Sequence, residues 1–119
     1  MPSSLGEFEQ LLLLSLTRAK GEAHGGELGR LLEERAGKKA SPGAIYTVMD
    51  RLESKGYVTS WLSDPVAARG GRSRKHYRLE PEGAVALSHS LERIKRMSKG
   101  LEKNIADLAA RAQPDGRKR

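Results

Sequence analysis

The residues best suited to chemistry in this chain are its cations. Between Arg69 and Arg78 stand five Lys or Arg residues, Arg69, Arg72, Arg74, Lys75 and Arg78, with no acid among them. Guanidinium forks match phosphate oxygens, and flexible cations near a polyanion release its counterions. Gly70 and Gly71 give that stretch backbone freedom. A second candidate set lies upstream. Ser41, Pro42, Gly43 and Ala44 form a small-residue edge, followed by Tyr46 and Thr47, with Lys38 and Lys39 just before it. Such an edge lets a backbone approach another molecule closely, and the two hydroxyls can donate or accept hydrogen bonds.

Enzymatic chemistry finds no comparable grouping. His24, His76 and His89 are scattered and do not form a metal-ligand spacing such as H-E-x-x-H. Gly70, Gly71 and Arg72 do not make a phosphate-binding Walker loop. With no cysteine, disulfides, thiolate catalysis and Cys-ligated zinc are excluded. Glu33 and Glu34 read as a solvated helix face, and Trp61 as packing at the base of a hairpin. The expectation is a non-enzyme with no metal and no cofactor.

Charge points the same way as the cationic cluster. Net charge is +7 over 119 residues, and the isoelectric point is about 10.0. A basic balance of this size is one footprint of nucleic-acid binding, though basic surfaces also bind membranes and acidic proteins. The start MPSSLGEFEQ lacks the basic region of a signal peptide. The run LLLLSL is far shorter than the roughly 18 apolar residues that span a bilayer. The expectation is a soluble, cytoplasmic protein without a membrane partner.

The elements that must position these residues are legible from periodicity. Leu11 to Leu14 and Leu16, with Phe8, predict a first helix from about Gly6 to Arg18, buried on more than one side. Leu28, Leu31 and Leu32 predict a second from about Gly26 to Ala36, ended by Gly37. The third has the clearest start: Ser41 at the N-cap, Pro42 at the first helical position, then Ile45, Val48, Met49 and Leu52 at helical spacing until Gly56. Two short strands follow, Tyr57 to Ser63 and Lys75 to Leu79, joined by the long basic loop. Alternation places Val58 and Leu62 on one face of the first, and Tyr57 and Trp61 on the other. Pro81 opens a last helix that can run to about Arg111.

That helix carries Leu87, Leu91, Ile94, Ser98, Leu101, Ile105 and Leu108 in alternating steps of four and three. This is a heptad seam with a polar interruption at Ser98, beside a Gly100 able to bend the helix. The seam outruns what a small body can cover, which points to a partner helix, although packing against the first helix is the other reading. The order of elements predicts a mainly α fold with a small β-hairpin: a winged helix-turn-helix body over residues 1–80, a long C-terminal dimerisation helix over 81–112, and a disordered basic tail over 113–119.

In a helix-turn-helix the second helix enters the major groove by its N-terminal residues. Ser41, Pro42, Gly43, Tyr46 and Thr47 are therefore the candidate groove contacts, with Lys38, Lys39, Arg72, Arg74 and Lys75 as phosphate contacts. A plain helical hairpin with a solvated charge run remains the alternative for these segments taken singly.

The run SPGAIYTVMDRLESKGYVTSWLSD, followed by GGRSRKHYRLEPEG, resembles the PadR-like transcriptional regulators. The matching positions are Ser41, Gly43, Ile45, Tyr46, Met49, Arg51, Leu52, Glu53, Gly56, Tyr57, Val58, Lys75, Tyr77, Leu79 and Gly83, and the likeness extends over about Leu5 to Leu91. The chain departs where HGGELGRLL stands in place of an aromatic-glycine-tyrosine-glutamate run, and where Pro81 follows Glu80. Its C-terminal region is short, as in the subfamily without a larger effector domain. The resemblance implies a dimeric repressor acting on a palindromic operator in double-stranded DNA. It carries groove contacts to Ser41, Gly43, Tyr46 and Thr47, and wing contacts to Arg72, Arg74 and Lys75. Some members sense small molecules through aromatic residues at the dimer interface. The seam here has none, so a small-molecule effector of unknown identity stays an open partner. The rival readings are a winged-helix protein-interaction module and a sensor without strong DNA specificity.

Overall fold

A computed structural model describes residues 4–63 and 74–112. The chain order is α1 (Glu7–Arg18), β1 (Glu22–His24), α2 (Gly25–Ala36), α3 (Pro42–Ser54), β2 (Val58–Leu62), β3 (Lys75–Leu79), α4 (Pro81–Ser98) and α5 (Glu102–Ala112). The mainly α architecture with a small antiparallel sheet is the one expected.

Helix α1 is the hub. Leu12, Leu13 and Leu16 are fully buried, and the helix packs against α2, α3, α4 and β3. Burying one such leucine contributes roughly 2 kcal/mol, so three of them on one element outweigh any surface ion pair, worth about 0.5 kcal/mol. At its start the Glu9 carboxylate accepts the Gly6 amide proton at 2.9 Å and pairs with Lys55 Nζ at 3.2 Å, tying α1 to the end of α3. Helix α3 begins as its sequence requires. Ser41 Oγ accepts from the Ala44 amide at 3.1 Å, and Pro42 takes the first turn, where a missing N–H is harmless. Its stripe of Ile45, Val48, Met49 and Leu52 is buried.

The sheet differs from expectation. It has three strands in the order β1-β3-β2, all antiparallel, where alternation predicted a two-stranded hairpin. Strand β1 is three residues long between glycine-rich flanks, too short to show a period. It forms because β3 offers a free edge: Glu22, Ala23 and His24 pair with Arg78, Tyr77 and His76. The inner face carries Ala23, Tyr77 and Val58, all buried. The outer face carries Glu22 and His24, His76 and Arg78, and Thr59 and Trp61. Leu62 shares the Val58 face by alternation but overhangs the body and is exposed, while Tyr57 precedes the strand and is buried in the core.

Tyr77 is the central side chain of the sheet and is completely buried. Among the described residues its hydroxyl has no hydrogen-bond partner. Burial, with Asp50, Tyr46 and Glu53 adding, pushes that hydroxyl above the ordinary tyrosine range, so it stays neutral.

The C-terminal arm enters through a tight contact. The Glu80 amide donates to the Tyr57 carbonyl at 3.0 Å, and a Cβ on Gly83 would collide with that same oxygen. Gly83 is thus fixed by backbone approach. The expected single helix over 81–112 is instead two. Lys99 is extended (ψ 124°) and Gly100 lies at φ +80°, a conformation that glycine adopts at little cost. Leu101 restarts the chain, its carbonyl accepting from the Ile105 amide at 2.9 Å. Arg69 and Arg72, like the basic tail over 113–119, lie outside the described residues.

Two stability outcomes follow. Gly83→Ala is expected to destabilise the chain by about 2 kcal/mol or more, because the methyl meets backbone and cannot be accommodated by a rotamer change; urea unfolding reads this. Tyr77→Phe removes an unpaired buried hydroxyl while keeping the ring. It is expected to raise stability by about 1 kcal/mol, and a loss in the same assay would mean that the hydroxyl is satisfied in solution.

Candidate nucleic-acid interface

Helices α2 and α3 meet at a tight turn over residues 37–41. Gly37 closes α2 in the left-handed region at φ 64°. The buried stripe of α3 forces its other residues outward: Ser41, Pro42, Gly43, Ala44, Tyr46 and Thr47 are exposed. A Cβ on Gly43 would meet nothing within 4 Å, so its own chain places no steric demand for glycine there. Gly25 is different. A Cβ there would sit 3.0 Å from the Tyr46 ring, and its absence lets that ring lie across the start of α2.

Two cavities flank Tyr46. A trough of about 590 Å³ runs between α2 and α3, lined by Gly25, Gly29, Lys39, Ser41, Pro42 and Tyr46 among others. A smaller one of about 250 Å³ is lined by His24, Gly25, Gly26, Tyr46, Arg74 and Lys75. The second brings the root of the wing beside the exposed side of α3. The predicted residues Lys39, Ser41, Pro42, Gly43, Tyr46, Thr47, Arg74 and Lys75 therefore fall on two adjoining elements. Lys38 does not join them: its Nζ lies over the Phe8 ring, 5.3 Å from the centroid, on the α1 side. Arg72 lies outside the described residues.

The wing root is fixed by several contacts. The Arg74 amide donates to Ser63 Oγ at 3.0 Å, and its carbonyl accepts from the Ser63 amide at 2.8 Å. Its Nη1 lies 3.0 Å from His24 Nε2. Lys75 Nζ reaches Asp50 at 3.5 Å and lies 5.9 Å from the Tyr77 ring centroid. Arg78 turns to the outer face of the sheet, 2.8 Å from Glu22 and over the Trp61 ring at 5.0 Å. Trp61 also stacks on His76, at 5.5 Å between centroids, so its packing role is on the outer sheet face.

Sequence reasoning missed His24. It is the N-cap of α2: Nδ1 faces the Glu27 amide at 3.3 Å, and Glu27 Oε1 accepts from the His24 amide at 3.2 Å. The available signal was a glutamate three residues after a cap-capable side chain, the spacing of a capping box. A histidine in the cap position hid it. Among the described residues no group of three metal-ligating side chains occurs.

A second surface runs along the C-terminal arm. Leu87 is buried against its own chain, so its packing is intramolecular. Leu91, Ile94, Leu101, Ile105 and Leu108 are exposed, with Ile94 61% and Leu108 60% accessible, and Met97 beside them reaches 79%. Helix α5 buries no residue at all. A groove of about 480 Å³ beside α1 and α4, lined by Leu14, Leu79, Leu87, Leu91 and Lys95 among others, is also open.

Comparison with known proteins agrees with this anatomy. Residues 12–89 match the transcriptional regulator PadR-like family. Transcriptional regulator Rv3488 of Mycobacterium tuberculosis is 32% identical over 81 residues, covering 68% of this chain and 71% of that protein. A PadR family transcription regulator from hypervirulent Clostridium difficile R20291 superposes with a TM-score of 0.68 at 25% identity, covering 84% of this chain and 99% of its own. Bacillus subtilis PadR, solved in complex with operator DNA, shares the fold with a TM-score of 0.61 at 23% identity; the match covers 71% of this chain but 46% of that one. With two thirds of its length inside the family match, and its winged helix-turn-helix elements in place, the chain belongs to the PadR-like family of transcriptional regulators, not to a family of enzymes.

Proposed function

We propose that this chain is a sequence-specific DNA-binding repressor that acts as a homodimer on a palindromic operator in the cytoplasm. The observation that carries the reading is the convergence of Tyr46 from α3 with Arg74 and Lys75 from the wing root around one cavity. A helix end with small exposed residues beside two cations is what a duplex requires: one element for the groove, another for the phosphates. The operator-bound state of Bacillus subtilis PadR lends support by likeness of fold.

Thr47 and the Pro42–Gly43 edge read base edges, while Ser41 and Tyr46 offer hydroxyls to the backbone. Arg74, Lys75 and Lys39 neutralise phosphates, with Arg72 as a further cation of the wing, while Lys38 stays on the α1 side over Phe8. Residues 1–80 form the DNA-binding body. Residues 81–112 form the dimerisation arm through Leu91, Ile94, Leu101, Ile105 and Leu108. An apolar stripe this exposed is costly in water, and a two-fold partner covers it with the same residues. That symmetry sets two α3 helices about 34–36 Å apart, one turn of the duplex.

Arg74→Ala with Lys75→Ala is expected to weaken binding to all duplexes and to flatten the salt dependence by roughly one to two units of slope. An unchanged slope in fluorescence anisotropy removes the wing root from the mechanism. Ile105→Asp with Leu108→Asp is expected to yield a folded monomer, seen by sedimentation, whose affinity for duplex falls by roughly 100-fold as two-point attachment is lost. A variant that stays dimeric places the interface elsewhere.

A further inference from the structure

The outward face of α3 carries an acid in its middle. Ile45, Val48, Met49 and Leu52 turn into the core, so the helical period aims Gly43, Thr47, Asp50 and Ser54 the opposite way. All four are exposed. Asp50 therefore stands one turn beyond Thr47 on the face offered to a groove. The other acid of α3, Glu53, is already engaged: its carboxylate accepts from Ser60 Oγ of β2 at 2.8 Å. Asp50 is held far more loosely. Among the described residues its side chain reaches one cation, Lys75 Nζ, at 3.5 Å, and is itself 62% accessible. A pair so exposed contributes little to the fold.

A carboxylate in that place works against the rest of the surface. The chain carries a net charge of +7, and Lys39, Arg74 and Lys75 line the cavities beside Tyr46. A duplex repels an anion, and taking a carboxylate out of water without a donor is costly. The helix does not require it either, since aspartate is a poor helix former in mid-helix. The cost becomes selectivity where only some base edges supply a donor. In the major groove the donors are the amino groups, N4 of cytosine and N6 of adenine, whereas guanine and thymine present only acceptors. Adenine sets the N7 lone pair next to its amino group, where it faces the carboxylate; cytosine has no acceptor beside N4.

We infer that Asp50 is a specificity-determining residue of α3: its carboxylate accepts a hydrogen bond from the N4 amino group of a cytosine in each half-site and disfavours duplexes that lack an amino group there. This rests on the reading of α3 as the groove helix. In the free protein the carboxylate shares Lys75 with solvent. On a matching duplex Lys75 turns to a phosphate, and the cytosine amino group takes its place beside Asp50. On a duplex with guanine or thymine there, the carboxylate either keeps Lys75 from the phosphate or stands unpaired against an acceptor. Both outcomes weaken binding to the wrong sequence. Thr47 cannot discriminate in this way, because a hydroxyl donates as readily as it accepts, while an ionised carboxylate only accepts.

The test compares the full native chain with Asp50→Ala and Lys75→Ala, first by selection from a random duplex pool, then by anisotropy. Asp50→Ala is expected to keep or raise the thermal midpoint, since alanine is the better helix former and the lost pair is exposed. The native chain is expected to fix a cytosine at one position of each half-site, and to bind about tenfold or more weakly when that C·G pair is changed to T·A. Asp50→Ala is expected to show no preference at that position, to bind the two duplexes alike, and to bind a mixed-sequence duplex about threefold more tightly than the native chain does. Lys75→Ala is expected to weaken both duplexes and keep the preference. A cytosine preference that survives in Asp50→Ala overturns the proposal. So does one lost equally in Lys75→Ala, which makes the carboxylate a holder of Lys75 and not a reader of the base. A native chain that selects fragments with no fixed cytosine, or selects the same ones as Asp50→Ala, sinks this role and leaves the DNA-binding reading intact. A native chain that retains no duplex sinks both.

Discussion

Everything in this molecule is arranged around the central place of β3. The strand is paired on both edges, by β2 through a connection that remains local in sequence and by β1 from more than fifty residues upstream. Its middle residue, Tyr77, plugs the core. Because β3 cannot move without breaking two ladders, the residues that lead into it are placed as firmly as the core is. Arg74 and Lys75 gain their positions beside His24, Tyr46 and Asp50 in this way, and not from contacts of their own strength. Exposed ion pairs such as Lys75 with Asp50 contribute little; strand pairing and the burial beneath it do the positioning.

The same constraint explains how a sparse core suffices. Of its few aromatics, Tyr77 and Tyr57 are buried, and the Tyr57 carbonyl accepts the chain as it enters α4. The rest is leucine from α1 and α2 and the apolar stripe of α3. Nothing comparable covers the C-terminal arm. Past Leu87 the apolar residues of α4 and α5 face outward, and α5 buries none of its residues. The body closes its core with the first half of α4, through Ala86 and Leu87, whereas the rest of the arm keeps an exposed apolar face. That division is the one the proposed dimer would use, with two bodies joined through the apolar face of the arm.

Much of this was legible in the residues. Ser41 and Pro42 announced α3, and the stripe at Ile45, Val48, Met49 and Leu52 decided which side chains could look outward, so the exposure of Tyr46 and Thr47 followed from the period alone. Three features were not legible, each for a physical reason. Strand β1 has three residues and exists through its partner's edge, a non-local fact that no local pattern carries. The break after Ser98 was visible only as a glycine capable of bending; a heptad rhythm that continues across it favoured one helix, and Lys99 and Gly100 preferred two. His24 read as an isolated histidine among glycines because its contact with Arg74 spans fifty positions. The likeness to the PadR-like regulators suggested wing contacts by position, but not the contact of Arg74 with His24 that joins the wing root to the start of α2.

The central claim is that two copies of this body read one duplex. Selection of bound fragments from a random pool of double-stranded DNA tests it most directly. The account predicts enrichment of a two-fold symmetric sequence whose half-sites lie about one helical turn apart. Enrichment of a single unrepeated site, or recovery no different from the starting pool, would contradict it.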